Sequence, residues 1–214
     1  MTPANRLILA HIWVAIIAFG LGAMMAVMQA LARAGIELPF GTARLYYLSV
    51  TAHGVLEALV FTTFFIMALG YVVADTTLGR IRGMGWAWGG FWVAVVGTVM
   101  TTLAILSGTS TVLYTFYPPL EAHPTFYIGA TLLVIGSWVW CGVMIGSFRS
   151  WRAAHREERV PLAMHGMLTT VAIWILATAG LAVEVLVFIL PWSLGYVDRI
   201  VGNTTEGIER RCRL

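Results

Sequence analysis

The 214-residue chain is 59% hydrophobic and 11% charged, with a mean hydropathy of +0.85, which leaves too few polar side chains to clothe a water-soluble domain. Its formal charge of +3 rests on thirteen basic residues, all arginine, and most of them fall between apolar runs. There they report membrane topology rather than a nucleic-acid partner. Cys141, inside an apolar run, and Cys212, in the tail, have no metal-ligand spacing, so neither a disulfide framework nor a zinc site is implied.

Five apolar runs reach the roughly 20 residues that a helix needs to cross a bilayer. They cover residues 7–31, 46–73, 84–106, 126–148 and 165–190. The first is too long for a signal peptide and lacks a small-residue cleavage site, so it stays in the chain. With no internal repeat, low-complexity tract or long linker, the expected fold is one all-α bundle of five transmembrane helices. Gly85 with Gly89, and Gly142 with Gly146, are expected to bring helix backbones close together, as small residues four apart do in membranes.

Arginine placement sets the orientation. Arg6 precedes the first span, Arg80 and Arg82 join the second to the third, and Arg149, Arg152, Arg156 and Arg159 join the fourth to the fifth. The opposite side carries Arg33, Arg44 and Arg199 in its short loops. The N-terminus is therefore expected in the cytoplasm, with the second span entering from outside. Arg210, Arg211 and Arg213 in the tail oppose that rule.

The second span opens with TAHGVLEALVFTTFF, residues 51–65, where His53 and Glu57 lie a helical turn apart in an otherwise apolar run. An ionisable group at this depth costs roughly 2 to 3 kcal/mol when unpaired, which makes function the first hypothesis for His53. The structural alternative is a neutral histidine bonded to a backbone carbonyl of a neighbouring helix. For Glu57, a protonated acid packed in the bundle and a proton carrier remain equally open, and Glu184 is similar.

The other histidines offer no second axial ligand at the same depth. Counting 1.5 Å per residue puts His53 roughly 10 Å below the outer end of its span and His11 about 6 Å above the inner end of the first. In a core about 30 Å thick, a gap on the order of 14 Å remains, so the two cannot share one haem iron. His123, His155 and His165 read as loop or interface residues. In the loop after the third span, TVLYTFYPPLEAHPTFYIGA, Pro118 and Pro119 end the helix and force Tyr117 to be extended. Tyr114, Phe116 and Tyr117 there also suit an aromatic belt.

TAHGVLEALVFTTFF, LYTFYPPL and the later EVLVFILPWSLGYV occur in the order and spacing that resemble subunit I of the haem-copper oxygen reductases, most closely the B-type bacterial and archaeal terminal oxidases. The likeness runs from about Gln29 to Val197. It implies the first five of about twelve spans of that subunit and a place in a bacterial or archaeal plasma membrane. It further implies that His53 is an axial ligand of the low-spin haem, of b or a type, and that Tyr114 and Phe116 line a route for oxygen. The implied partners are the remainder of subunit I, subunit II, and cytochrome c or a similar donor. The implied reaction is electron transfer to O2 at a haem-copper pair, coupled to proton pumping.

In that family the copper ligands, the second low-spin ligand and the ligand of the other haem follow the fifth span, so copper and a second haem are expected only with that later part. Residues 202–214, GNTTEGIERRCRL, do not resemble the family at that point. A truncated or frame-shifted reading is the expectation, with residues 1–201 as the N-terminal membrane part and no oxidase activity in this chain alone. The rival readings are a small stand-alone cytochrome b, a non-enzymatic assembly bundle, and a nitric oxide reductase-like subunit.

Overall fold

The structure, a computed structural model, describes residues 1–36, 43–110, 112 and 122–196. Five long apolar helices make up the bundle: α1 (Pro3–Arg33), α2 (Ala43–Leu78), α3 (Met84–Leu106), α4 (Pro124–Ala154) and α5 (Leu162–Ser193). Each is long and apolar enough to cross a membrane, as the hydropathy pattern predicts. Among the described residues the sole strand-like pairing is a bridge between Ser110 and Ala122, which draws the two ends of the α3–α4 connection together.

Local chemistry sets where the helices begin and end. The Thr2 hydroxyl accepts from the Asn5 N–H at 3.1 Å and Pro3 occupies the first turn of α1, so an otherwise orphaned donor is satisfied and a missing one is harmless. Gly79, at φ 68°, closes α2 in the left-handed conformation that other residues resist. At the head of α4 the His123 ring accepts from the Thr125 N–H at 3.3 Å, followed by Pro124.

α4 extends beyond the expected apolar run, reaching Ala154 rather than Phe148. Arg149 and Arg152 therefore lie on helix and not in a loop. The extra turns end in a cap of their own: Arg152 Nη1 donates to the carbonyls of His155 at 3.2 Å and Glu158 at 2.6 Å, just past the helix.

The core is built from Leu7 of α1, Phe64, Met67 and Tyr71 of α2, and Phe126, Trp140 and Met144 of α4, all at 1% exposure or less. Trp13, Ile16, Trp92, Leu103 and Leu176 point outward, which suits hydrocarbon and would penalise a soluble protein. The α4–α5 seam is tied by indole N–H groups: Trp138 donates to the Thr178 hydroxyl at 2.7 Å and Trp174 to the Ser137 hydroxyl at 2.9 Å.

The glycines that bring helices together are not the expected pairs. Around Gly85, Gly89, Gly142 and Gly146 a Cβ would meet nothing within 4 Å, whereas a Cβ at Gly129 would lie 2.6 Å from the Gly97 carbonyl oxygen and one at Gly136 would lie 2.6 Å from that of Gly90. The α3–α4 seam thus runs through residues seven apart, two helical turns, on both helices. At 100° per residue, Gly85, Gly89, Gly142 and Gly146 are turned roughly 80° to 140° off that seam. Spacing four apart identified candidates but not the face.

Gly97→Ala and Gly129→Ala should each lower stability by about 1–3 kcal/mol, because backbone blocks the added methyl. Gly142→Ala and Gly146→Ala should change it by less than about 0.5 kcal/mol. Thermal unfolding of the purified variants checks this ordering, and equal losses at all four positions would contradict it.

Candidate functional site

His53 sits at the end of the first α-helical part of α2, Ala43–Gly54, immediately before a π-helical segment, Val55–Phe61, that contains Glu57. Its Nδ1 lies 3.0 Å from the carbonyl oxygen of Gly22 on α1. A carbonyl can only accept, so Nδ1 carries the hydrogen, and in the neutral ring Nε2 is then the nitrogen that holds the lone pair. Glu57 packs on the same glycine: a Cβ at Gly22 would overlap the Glu57 carboxylate. His53 and Glu57 are both half-buried. They meet α1 at Gly22, which has no side chain to obstruct them, as their shared helix face predicts.

Polar ties toward the Ala43 end of α2 hold this register. Gln29 Nε2 donates to the Ser49 carbonyl at 3.0 Å and Arg33 Nε to the Tyr46 hydroxyl at 3.0 Å, while Arg44 Nη2 donates to the Gly108 carbonyl at 3.1 Å. At equal rise the antiparallel pairing of residue 29 with 49 brings residue 22 level with about residue 56, within a turn of His53 and beside Glu57.

The π segment departs from the regular helix that the apolar run predicts. Each π turn widens the helix and is found mostly near functional positions. The sequence held one sign of it: Thr62 and Thr63, directly after the segment, return their hydroxyls to the carbonyls of Ala58 and Leu59, and such back-bonding competes with the regular ladder. A second π segment, Val185–Ile189, begins directly after Glu184 in α5. Both segments border an apolar cavity of about 160 Å³ between α2, α4 and α5, lined by Leu59, Phe126, Tyr127 and Val185 among others.

The remaining histidines stand elsewhere. His11 is fully buried with Nδ1 2.8 Å from the carbonyl oxygen of Leu7 in its own helix. Its ring is surrounded by Phe64, Tyr71 and Phe91 at centroid distances of 5.8, 5.3 and 4.8 Å. Eleven residues separate His11 from the His53 partner Gly22, about 16 Å along α1, so the two imidazoles stand at different depths.

His155 stacks on Trp151 at 5.0 Å, His123 caps α4, and His165 is exposed. Glu184 is half-buried and Cys141 is a buried free thiol. Tyr114, Phe116, the Pro118–Pro119 turn, Cys212 and the 202–214 tail lie outside the described residues. Among the described residues no three His, Cys, Asp or Glu side chains gather closely enough to hold a metal ion.

Fold and site together define a multi-pass membrane protein in which His53 and Glu57 of one helix meet Gly22 of its neighbour. A family model described as cytochrome c and quinol oxidase polypeptide I matches residues 6–206, and the chain belongs to that family, the subunit I family of haem-copper oxidases. It is 39% identical to cytochrome c oxidase subunit 1 of Thermus thermophilus over 163 residues, 76% of this chain and 29% of that protein. It also superposes, with TM-score 0.84 and 35% identity, on a chain in the cryo-EM structure of a heme-copper terminal oxidase dimer, covering 92% of this chain and 34% of that one. The chain thus spans about a third of the length of these relatives. Haem and copper are the cofactors that the family implies, and the free Nε2 of His53 fits an axial position to haem iron.

His11→Phe should leave stability unchanged or raise it by up to about 1 kcal/mol, since the ring packs among aromatics and its Nε2 has no partner. A fall of more than about 2 kcal/mol in chemical denaturation would contradict this, showing that the ring's polar contacts, the Nδ1–Leu7 bond included, outweigh its aromatic packing.

Proposed function

We propose that the chain supplies the first five helices of the catalytic subunit of a B-type respiratory terminal oxidase, with His53 as an axial ligand of the low-spin haem. The observation that carries this reading is the bond from His53 Nδ1–H to the Gly22 carbonyl. It holds the neutral tautomer, orients the ring and raises the basicity of Nε2, the arrangement that metal-ligating histidines use. It also realises the structural alternative, a histidine bonded to a neighbouring backbone, and the two roles are compatible because they use different nitrogens.

When bound, a low-spin haem, of b or a type, supplies one-electron transfer. The protein's part is to orient the ring through the Nδ1 bond and to fix α1 against α2 through Gly22. The second axial ligand, the copper ligands and the second haem site are assigned to the part of the subunit that the longer relatives carry. Cytochrome c or a similar donor, subunit II and the rest of subunit I are the partners, and electron transfer to O2 coupled to proton pumping is the reaction. Tyr114 and Phe116 are assigned to the oxygen route. In support, Phe126 and Tyr127, ten and eleven residues after Phe116, line the apolar 160 Å³ cavity, a space suited to a small apolar gas.

The membrane is a bacterial plasma membrane with the N-terminus cytoplasmic. Seven of the thirteen arginines, Arg6, Arg80, Arg82, Arg149, Arg152, Arg156 and Arg159, gather at that end.

His53→Leu in the full-length subunit should abolish the low-spin haem band in reduced-minus-oxidised spectra while His11→Phe retains it. An unchanged band in His53→Leu would remove the assignment. With Cys141 and Cys212 replaced by alanine, an impermeant thiol reagent added outside should label His123→Cys and miss Ala154→Cys. The reverse pattern would invert the topology.

A further inference from the structure

The Gly142–Gly146 pair, which packs no helix, borders a cavity of about 600 Å³ at the end of the bundle where the α2–α3 connection meets α4. Its floor is a slot along α4. Neither glycine has a Cβ, and no atom lies within 4 Å of where one would stand. Trp86, 74% exposed, forms the side wall.

Arg82 and Arg149 stand at the mouth, and the lining contains no carboxylate to neutralise them. Arg82 is held in place twice: its backbone N–H donates to the Ser147 hydroxyl at 2.9 Å and its Nη1 to the Ser150 hydroxyl at 2.6 Å. From Ser150 at the mouth to Gly142 is eight residues, about 12 Å of helix. The cationic end therefore lies at headgroup level while the slot runs into the hydrocarbon.

We propose that this cavity is a binding site for one anionic phospholipid, whose phosphate pairs with Arg82 and Arg149 and whose first acyl segment lies in the Gly142–Gly146 slot against Trp86. The paired chemistry selects the occupant. A soluble phosphate would leave the apolar slot unfilled, and a zwitterionic lipid would bring its own cation to two guanidiniums. Basic pockets between helices at a membrane surface take acidic headgroups for this reason. The site is independent of the His53 chemistry and lies toward the opposite end of the helices.

The test uses the full chain in nanodiscs of phosphatidylcholine doped with phosphatidylglycerol, with retained lipid counted by native mass spectrometry. Phosphatidylglycerol should be retained in preference to phosphatidylcholine. Arg82→Gln and Arg149→Gln should each lower that preference roughly fivefold, the worth of one arginine at an anionic surface. Gly146→Leu, which fills the slot and keeps both charges, should also lower retention, whereas Gly85→Leu, outside the lining, should not; circular dichroism confirms that each variant is folded.

Equal retention of the two lipids, or retention unaffected by the double arginine variant, would overturn the proposal. Displacement of phosphatidylglycerol by millimolar inorganic phosphate, or insensitivity to Gly146→Leu, would reduce the site to a simple anion contact and overturn it as well.

Discussion

The contact between His53 and Gly22 is the constraint on which the arrangement of α1 and α2 depends. An imidazole inside a bilayer must have its N–H satisfied by protein, because no solvent can do so. The carbonyls of a regular helix are already used by its own ladder, but a carbonyl has a second lone pair, and at Gly22 the missing side chain opens a path to it. Glu57 fills the space beside the same glycine. One residue of α1 therefore receives both His53 and Glu57, and its carbonyl determines which nitrogen of the histidine carries the hydrogen.

A similar use of absence organises α3 and α4, although through different glycines. Gly90, Gly97, Gly129 and Gly136 let two backbones approach until carbonyl oxygens stand where Cβ atoms would be. In lipid, helix association gains little from hydrophobic burial, so close backbone contact supplies much of the attraction. This rigid pair carries α5 through the Trp138–Thr178 and Trp174–Ser137 bonds and carries α2 through Trp140, whose ring lies against Gly70. The glycines left outside the seam, Gly142 and Gly146, are the ones that open the arginine-rimmed cavity.

Much of this was legible from residue order. Five spans followed from hydropathy because bilayer thickness admits few alternatives, and His53 stood out because a charge-capable side chain in such a run is rare. The different depths of His11 and His53 followed from the rise per residue alone. Less legible were features that depend on rotational phase. Glycine spacing does not say which face meets a neighbour, and a π turn shifts that face without any large change in composition. The identity of the histidine's acceptor was equally hidden, since any carbonyl at the right depth would satisfy the same rule and only the register of α1 against α2 selects Gly22. The polar continuation of α4 past Phe148 was obscured because hydropathy marks the hydrocarbon core and not the end of the helix.

The most direct test of this account is a solid-state NMR correlation between glycine carbonyl carbons and histidine ring nitrogens, in the chain reconstituted in bilayers. Among the described histidines, the Nδ1 partners are Leu7 for His11, Thr125 for His123 and Trp151 for His155, and only His53 is paired with a glycine carbonyl. Labelling ¹³C at glycine carbonyls and ¹⁵N in histidine rings should therefore give one cross-peak, to a protonated Nδ1, and it should disappear in His53→Leu. A spectrum with no glycine–histidine cross-peak, or with the His53 Nδ1 unprotonated, would contradict the pairing of His53 with Gly22.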